Sequence, residues 1–216
     1  NEFVDNAEHL AKLKEIAVEC GFIAPIYTVT GWNSASGAKI PVDEVVPVFG
    51  GYCEAPWENH MNRLSPSPHY FFNRMRNDSA IGTDLIAKTQ SDGWQLPYER
   101  YPFATCELGG GIEVTHHRRP IIKPMDIYAV SLVKLGDGNN LVGYYMYHGG
   151  TNKIGELSTF NETKATGYPN DYPILSYDFQ APLSEYGEVR EQYGLLNMLH
   201  LSLIHISEPT RPISIS

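Results

Sequence analysis

From Asn6 onward, apolar residues recur at three- and four-residue steps: Leu10, Leu13, Ile16, Ala17 and Cys20, with Gly21 where a C-cap falls. That spacing predicts a helix with one apolar stripe. The next segment, Ala24-Pro25-Ile26-Tyr27-Thr28-Val29-Thr30-Gly31-Trp32, is rich in β-branched and aromatic residues and predicts a strand running out at a glycine. The same unit recurs along the chain. Pro41 to Val46 reads as a short helix, and Val45 to Tyr52 as a strand ending in two glycines. A further strand spans Tyr101 to Glu107 and again meets glycines. Pro124 opens a helix through Ile127, Val130 and Val133, stopped by Gly136-Asp137-Gly138. Leu141 to His148 reads as a strand ending at Gly149-Gly150, and a last helix runs from about Glu188 to Leu201.

Strands alternating with helices imply an α/β fold with a parallel sheet covered on both faces. Four apolar strands are too few to close a (β/α)8 TIM barrel, which takes about 250 residues. The expectation is therefore a partial barrel over residues 1–201, the missing strands preceding Asn1. Asn59 to Glu99, rich in Pro, Ser and Asn, is too long for an ordinary connection and is expected to be an insertion on the active-site side. Residues 202–216 are set apart, because Ser202 to Arg211 resembles a translated sequencing-adapter read.

Composition narrows the function. With 42% apolar and 12% aromatic residues, the 216-residue chain can bury a sizeable core. A formal net charge of −9 without a basic stripe argues against nucleic-acid binding. No apolar run is long enough to span a bilayer, so the visible chain reads as soluble, and any export signal would lie upstream. Cys20, Cys53 and Cys106 lack the spacing of a zinc site and read as free thiols. Asn77-Asp78-Ser79 and Asn161-Glu162-Thr163 are glycosylation sequons.

In α/β barrels the chemistry sits where strands run out into loops, and Glu107 is placed there. It precedes Gly109-Gly110-Gly111, whose missing side chains would let a ligand approach the backbone. On the residues alone, Glu107 is either a carboxylate able to attack an anomeric carbon or an ordinary helix-initiating acid. The glycines do not match a phosphate-binding loop, and Ser34, Ser36 and Ser176 lack a nucleophile-elbow context. His116 and His117, adjacent in the chain, would point to opposite faces of a strand and read as a solvated rim turn rather than a metal site. Trp32, Tyr52, Trp57, Tyr144, Tyr145, Tyr147, Tyr177 and Phe179 cluster at strand ends. Singly each fits a barrel core; as a set they fit a carbohydrate pocket, since sugar rings stack on aromatic faces.

Three stretches carry a resemblance. They are Pro102-Phe103-Ala104-Thr105-Cys106-Glu107-Leu108-Gly109-Gly110-Gly111, then Tyr144 to Asn152, then Ser176-Tyr177-Asp178-Phe179-Gln180-Ala181-Pro182-Leu183-Ser184-Glu185-Tyr186-Gly187. They resemble the nucleophile strand, the last barrel strand and the following loop of glycoside hydrolase family 35, whose typical activity is β-galactosidase. The resemblance implies that the chain holds about strands 5 to 8 of the barrel and begins at the end of strand 4. Asn1-Glu2-Phe3 is similar to the family's Asn-Glu-Tyr, which makes Glu2 the acid/base and Asn1 a partner of the sugar 2-hydroxyl. Glu107 becomes the nucleophile of a double displacement, with its carboxyl about 5 to 5.5 Å from that of Glu2. Tyr145 would orient Glu107, and Trp32 would be a stacking platform. Phe179 stands where galactose-binding members often carry tyrosine, which puts strict galactose specificity in question.

The implied substrate is a β-galactoside oligosaccharide or glycoconjugate, and the implied chemistry uses no cofactor and no metal. The alternatives are a carbohydrate-binding barrel without catalysis and an exo-β-glycosidase of another sugar specificity. The chain is expected to be inactive by itself, since half a barrel leaves open sheet edges. Oligomeric state is not readable from the sequence.

Overall fold

The computed structural model describes residues 6–29, 39–55, 58, 60–76, 96–157, 163–166 and 171–206. Helix α1 spans Ala7–Glu19 and is capped by Asn6, whose side chain accepts from the His9 amide at 3.0 Å. Gly21 follows at φ +88°, a left-handed turn that suits glycine. The strands β1 (Tyr27–Val29), β2 (Val46–Gly51), β3 (Ala104–Leu108) and β4 (Leu141–Tyr144) form one sheet in that order. Every pairing in it is parallel. Helix α2 (Pro124–Gly136) connects β3 to β4, and α3 (Glu191–Ile206) packs against α2. The parallel α/β sheet anticipated from the alternation is therefore present, with β1 and β4 as its edges.

The sheet is buried where the sequence is most apolar. On β2 and β3 only the first residue, Val46, and the middle residue, Cys106, are partly exposed. One apolar cluster gathers Ile40, Val45, Phe49, Leu96, Tyr101 and Phe103 near the amino ends of the strands. A second gathers Tyr52, Leu108, Ile112, Ile127, Val130, Phe179, Ala181 and Leu196 around the carboxyl ends and the two helices. The α1 stripe meets the sheet more loosely. Leu10, Leu13 and Ala17 line one wall of an open apolar groove of about 550 Å³, with Phe22, Ile26 and Tyr27 opposite.

Four local expectations change. Residues 42–44 make a turn, not a helix, with Asp43 at φ +67° and its amide donating to the Tyr101 hydroxyl at 2.7 Å. β4 stops at Tyr144 and not at His148, because beyond it the backbone pairs with a later loop: Leu183 donates to Tyr147 O at 3.0 Å and Gly149 to Leu183 O at 2.9 Å. A second, antiparallel pair that the pattern did not reveal, β5 (Gly150–Thr151) with β6 (Ser176–Tyr177), continues that hand-over. The last helix starts at Glu191, just after Arg190, whose amide donates to Pro182 O at 2.9 Å and whose carbonyl accepts from the Tyr193 amide at 3.0 Å, and it continues to Ile206. The sequon Asn77-Asp78-Ser79 and the first two residues of the other, Asn161-Glu162, lie outside the described residues.

The long segment between β2 and β3 is fastened by a buried ion pair. Lys134 and Asp137 at the end of α2 are 3.9 Å apart with side chains about 2% exposed. Lys134 Nζ donates to Met75 O at 3.0 Å, and Asp137 accepts from the Asn73 amide at 3.1 Å. A cation also suits the carboxyl end of a helix. Removing one partner strands the other charge in a dry site, so Lys134→Met should lower unfolding stability by roughly 3 kcal/mol. A urea titration checks this, and an unchanged midpoint contradicts it.

Candidate active site

Glu107 is the fourth residue of β3 and lies in register with Gly50 of β2. The alternation of the strand turns Cys106 toward the Phe49 carbonyl and Glu107 to the other face, where its carboxylate is buried at 9% exposure. Beyond Glu107 the neighbouring strands close around it. Gly109 donates to Gly51 O at 2.8 Å, and Tyr145 donates to Leu108 O at 2.8 Å. Tyr52 immediately follows β2 and Tyr145 immediately follows β4. Three successive strands thus deliver a tyrosine, a glutamate and a tyrosine to the same carboxyl end of the sheet.

Tyr177, from β6, joins them: its hydroxyl is 2.9 Å from that of Tyr145. The Phe179 ring sits among these side chains. Its centroid is 5.3 Å from Tyr145 at 89°, 5.2 Å from Tyr177 and 6.5 Å from Tyr52. Edge-on and tilted ring packing of this kind fixes orientation as well as burying area.

The Phe179 wall is held by a strained turn. Phe179 and Gln180 adopt φ +57° and +49°, unfavourable for residues with a Cβ. The surrounding bonds over-determine it. Asp178 accepts from the Gln180 amide at 3.2 Å, from the Glu185 amide at 2.7 Å and from Arg190 at 2.7 Å. Gln180 Nε2 donates to Ile112 O and Pro120 O, and Gln192 donates to Gln180 O.

Burial pushes the Tyr52 phenol well above its usual range, followed by the Glu107 charge and a side-chain hydrogen bond with Glu107, then by Tyr145 and Tyr177. Tyr52 therefore keeps its proton. Behind it, the Ser67 hydroxyl donates to Tyr52 O at 2.6 Å, and the buried His69 ring fills the space beside Gly51. Cys53 faces away; burial raises its thiol to about 12, so it is neither ionised nor nucleophilic at neutral pH.

The glycines Gly109-Gly110-Gly111 do not make an open approach for a ligand, as the sequence suggested. A Cβ on Gly109 would stand 2.6 Å from the Tyr52 ring, one on Gly110 would collide with the Met146 carbonyl, and one on Gly111 with the Phe179 carbonyl. They are small because three chain segments converge on them. The pair His116 and His117 lies in the solvated turn expected of it. The residues lie in a bend, not a strand, and their rings meet at 5.3 Å, close to perpendicular. Among the described residues no group of three or more His, Cys, Asp and Glu could hold a metal ion, and no helix is long and apolar enough to cross a membrane.

Of the site residues expected from sequence, Glu107, Tyr145 and Phe179 are brought together, while Asn1, Glu2 and Trp32 lie outside the described residues. Tyr52 and Tyr177 were legible only as strand-end aromatics. The sharper signal was position: each is at or next to the last residue of its strand, as Glu107 is near the end of its own.

A buried carboxylate at the carboxyl end of a parallel α/β sheet, ringed by tyrosine hydroxyls and aromatic walls, has the make-up of a site that cleaves glycosides. The sequence matches the family described as Glycosyl hydrolases family 35 over residues 39–203, and the chain belongs to that family. It is thus a member of a glycoside hydrolase family whose catalytic domain is a TIM barrel.

The glycine packing gives a contrast to measure. Gly110→Ala forces a Cβ into backbone that cannot yield, and should cost about 2 kcal/mol or more of stability. Gly150→Ala meets only the Met146 methyl at 3.8 Å and should change it by no more than about 0.5 kcal/mol. Equal melting temperatures for the two variants would contradict the packing.

Proposed function

We propose that the protein is a retaining exo-β-glycosidase that removes terminal β-D-galactosyl residues from oligosaccharides or glycoconjugates. The observation carrying this reading is Glu107, buried at the end of β3 with Tyr52, Tyr145 and Phe179 around it, in a chain of family 35. β1 to β4 are assigned to about strands 5 to 8 of a (β/α)8 barrel. The reaction belongs to the closed barrel of the full-length enzyme, because in the described sheet β1 and β4 are edges.

In the first step a Glu107 oxygen attacks the anomeric carbon while the bond to the leaving oxygen breaks. Glu2 gives its proton to that oxygen, and a glycosyl ester remains on Glu107. In the second step Glu2, now a carboxylate, takes a proton from water as the water oxygen attacks the anomeric carbon. The ester bond breaks, Glu107 returns as a carboxylate and the sugar leaves with its β configuration. Asn1 is assigned to the sugar 2-hydroxyl, Tyr145 to orienting Glu107, and Trp32 and Phe179 to the walls of the sugar subsite. None of this requires a cofactor. The phenyl ring of Phe179, buried and without a hydroxyl, is the one feature that favours a second reading, an exo-β-glycosidase for another sugar.

In the full-length enzyme, Glu107→Gln should lower kcat on a chromogenic β-galactoside by about 10⁴-fold or more while sugar binding persists. Unchanged hydrolysis would refute the assignment of Glu107.

A further inference from the structure

We infer that Glu185 is a positioning residue of the sugar subsite: its one carboxylate fastens β5 to β6 and so fixes where Tyr177 and Phe179 stand. The inference rests on the reading of Phe179 as a wall of that subsite and goes beyond it by assigning what holds the wall in place.

The ladder it fastens is short. β5 and β6 pair over two residues a side, Gly150 with Tyr177 and Thr151 with Ser176. A two-stranded ladder of that length makes too few backbone bonds to be rigid by itself. The side chains of the second pair add to it. The Thr151 hydroxyl donates to Glu185 Oε1, and the Ser176 hydroxyl donates to Oε2 at 2.8 Å. Each strand thus gives one donor to the same carboxylate, and hydrogen bonds to a carboxylate are stronger than those between neutral groups.

The Glu185 side chain is aimed from a firm base. Leu183 bridges Val189, and between them the Ser184 amide donates to Glu188 O at 2.9 Å while Ser184 Oγ accepts from the Glu188 amide at 2.9 Å. Gly187 turns the chain there at φ +84°. The Glu185 amide donates to Asp178 Oδ1 at 2.7 Å. Gly149, just before β5, closes the assembly: a Cβ there would stand 2.7 Å from Asp178 O and 2.8 Å from the Glu185 nitrogen. Glu185 therefore grips both neighbours of Tyr177, Ser176 through its carboxylate and Asp178 through its backbone. Tyr177 in turn meets the Tyr145 hydroxyl at 2.9 Å and the Phe179 ring at 5.2 Å. A wall held this way is in place before a sugar arrives. Without the clamp, binding must also order the wall, which weakens the ground state and the transition state alike.

The test uses the full-length enzyme, with a chromogenic β-galactoside for kinetics and a non-hydrolysed β-thiogalactoside for calorimetric binding. Glu185→Ala should raise KM and the thiogalactoside Kd about 10-fold, with kcat within about threefold of wild type. Glu185→Gln should bring both constants back to within about threefold, because its amide oxygen accepts from one hydroxyl and its NH2 donates to the other. Thr151 is exposed, so Thr151→Val leaves folding intact. It should raise both constants about threefold, and adding it to Glu185→Ala should change nothing further. If Glu185→Ala, or Thr151→Val should the first not fold, keeps the wild-type KM and Kd whatever its melting temperature, Glu185 has a structural role alone and the inference is overturned by itself. If the wild-type enzyme neither hydrolyses the galactoside nor binds the thiogalactoside, the reading of the subsite and the inference fall together.

Discussion

The constraint on which the rest of the site depends is the burial of one carboxylate. Taking Glu107 out of water at the end of β3 is costly unless the surroundings supply donors, and an apolar core supplies none. The fold answers with aromatic side chains that combine bulk and a hydroxyl. Tyr52 is buried within the field of the carboxylate, while Tyr145 and Tyr177 bond to each other close by. The same arrangement that makes burial tolerable is suited to a nucleophile, because a carboxylate in dry surroundings with fixed donors needs little reorganisation when it reacts.

Crowding follows from that arrangement. Three tyrosines and Phe179 must reach one end of the sheet, so the backbone there carries Gly109, Gly110 and Gly111, each facing an atom that would exclude a methyl group. The turn bearing Phe179 accepts two left-handed residues, and Asp178, Arg190, Gln180 and Gln192 hold it in place with hydrogen bonds. Asp43 and Arg74 take left-handed values elsewhere, whereas among the described residues no non-glycine position of α2 or α3 does, and there ordinary helical packing suffices. Farther from the site, the Lys134–Asp137 pair does a different task, tying the segment around Met75 to the end of α2.

Much of this was legible in the sequence because periodicity reports burial. The α1 and α2 stripes and the four apolar strands come from the same apolar spacing that the structure uses, and the terminators Gly21 and Gly136 stand at the helix ends. What periodicity misses is long-range pairing. The β5–β6 ladder is two residues a side, and β4 ends early because Leu183, about forty residues away, takes over its hydrogen bonds. The glycine run was misread for a related reason: its small size answers to Tyr52, Met146 and Phe179, which are remote in sequence. Glu107, Tyr145 and Phe179 were found through their local motifs, whereas the placement of Tyr52 near them depends on the register of β2 against β3.

The most direct test of the nucleophile is to trap it. A 2-deoxy-2-fluoro-β-galactoside with a good leaving group slows release of the glycosyl ester, so the labelled carboxylate can be located by peptide mass mapping of the full-length enzyme. The account predicts a single label, on Glu107. A label on another carboxylate, such as the buried Glu113 six residues further on, or hydrolysis with inversion and no label at all, would contradict it.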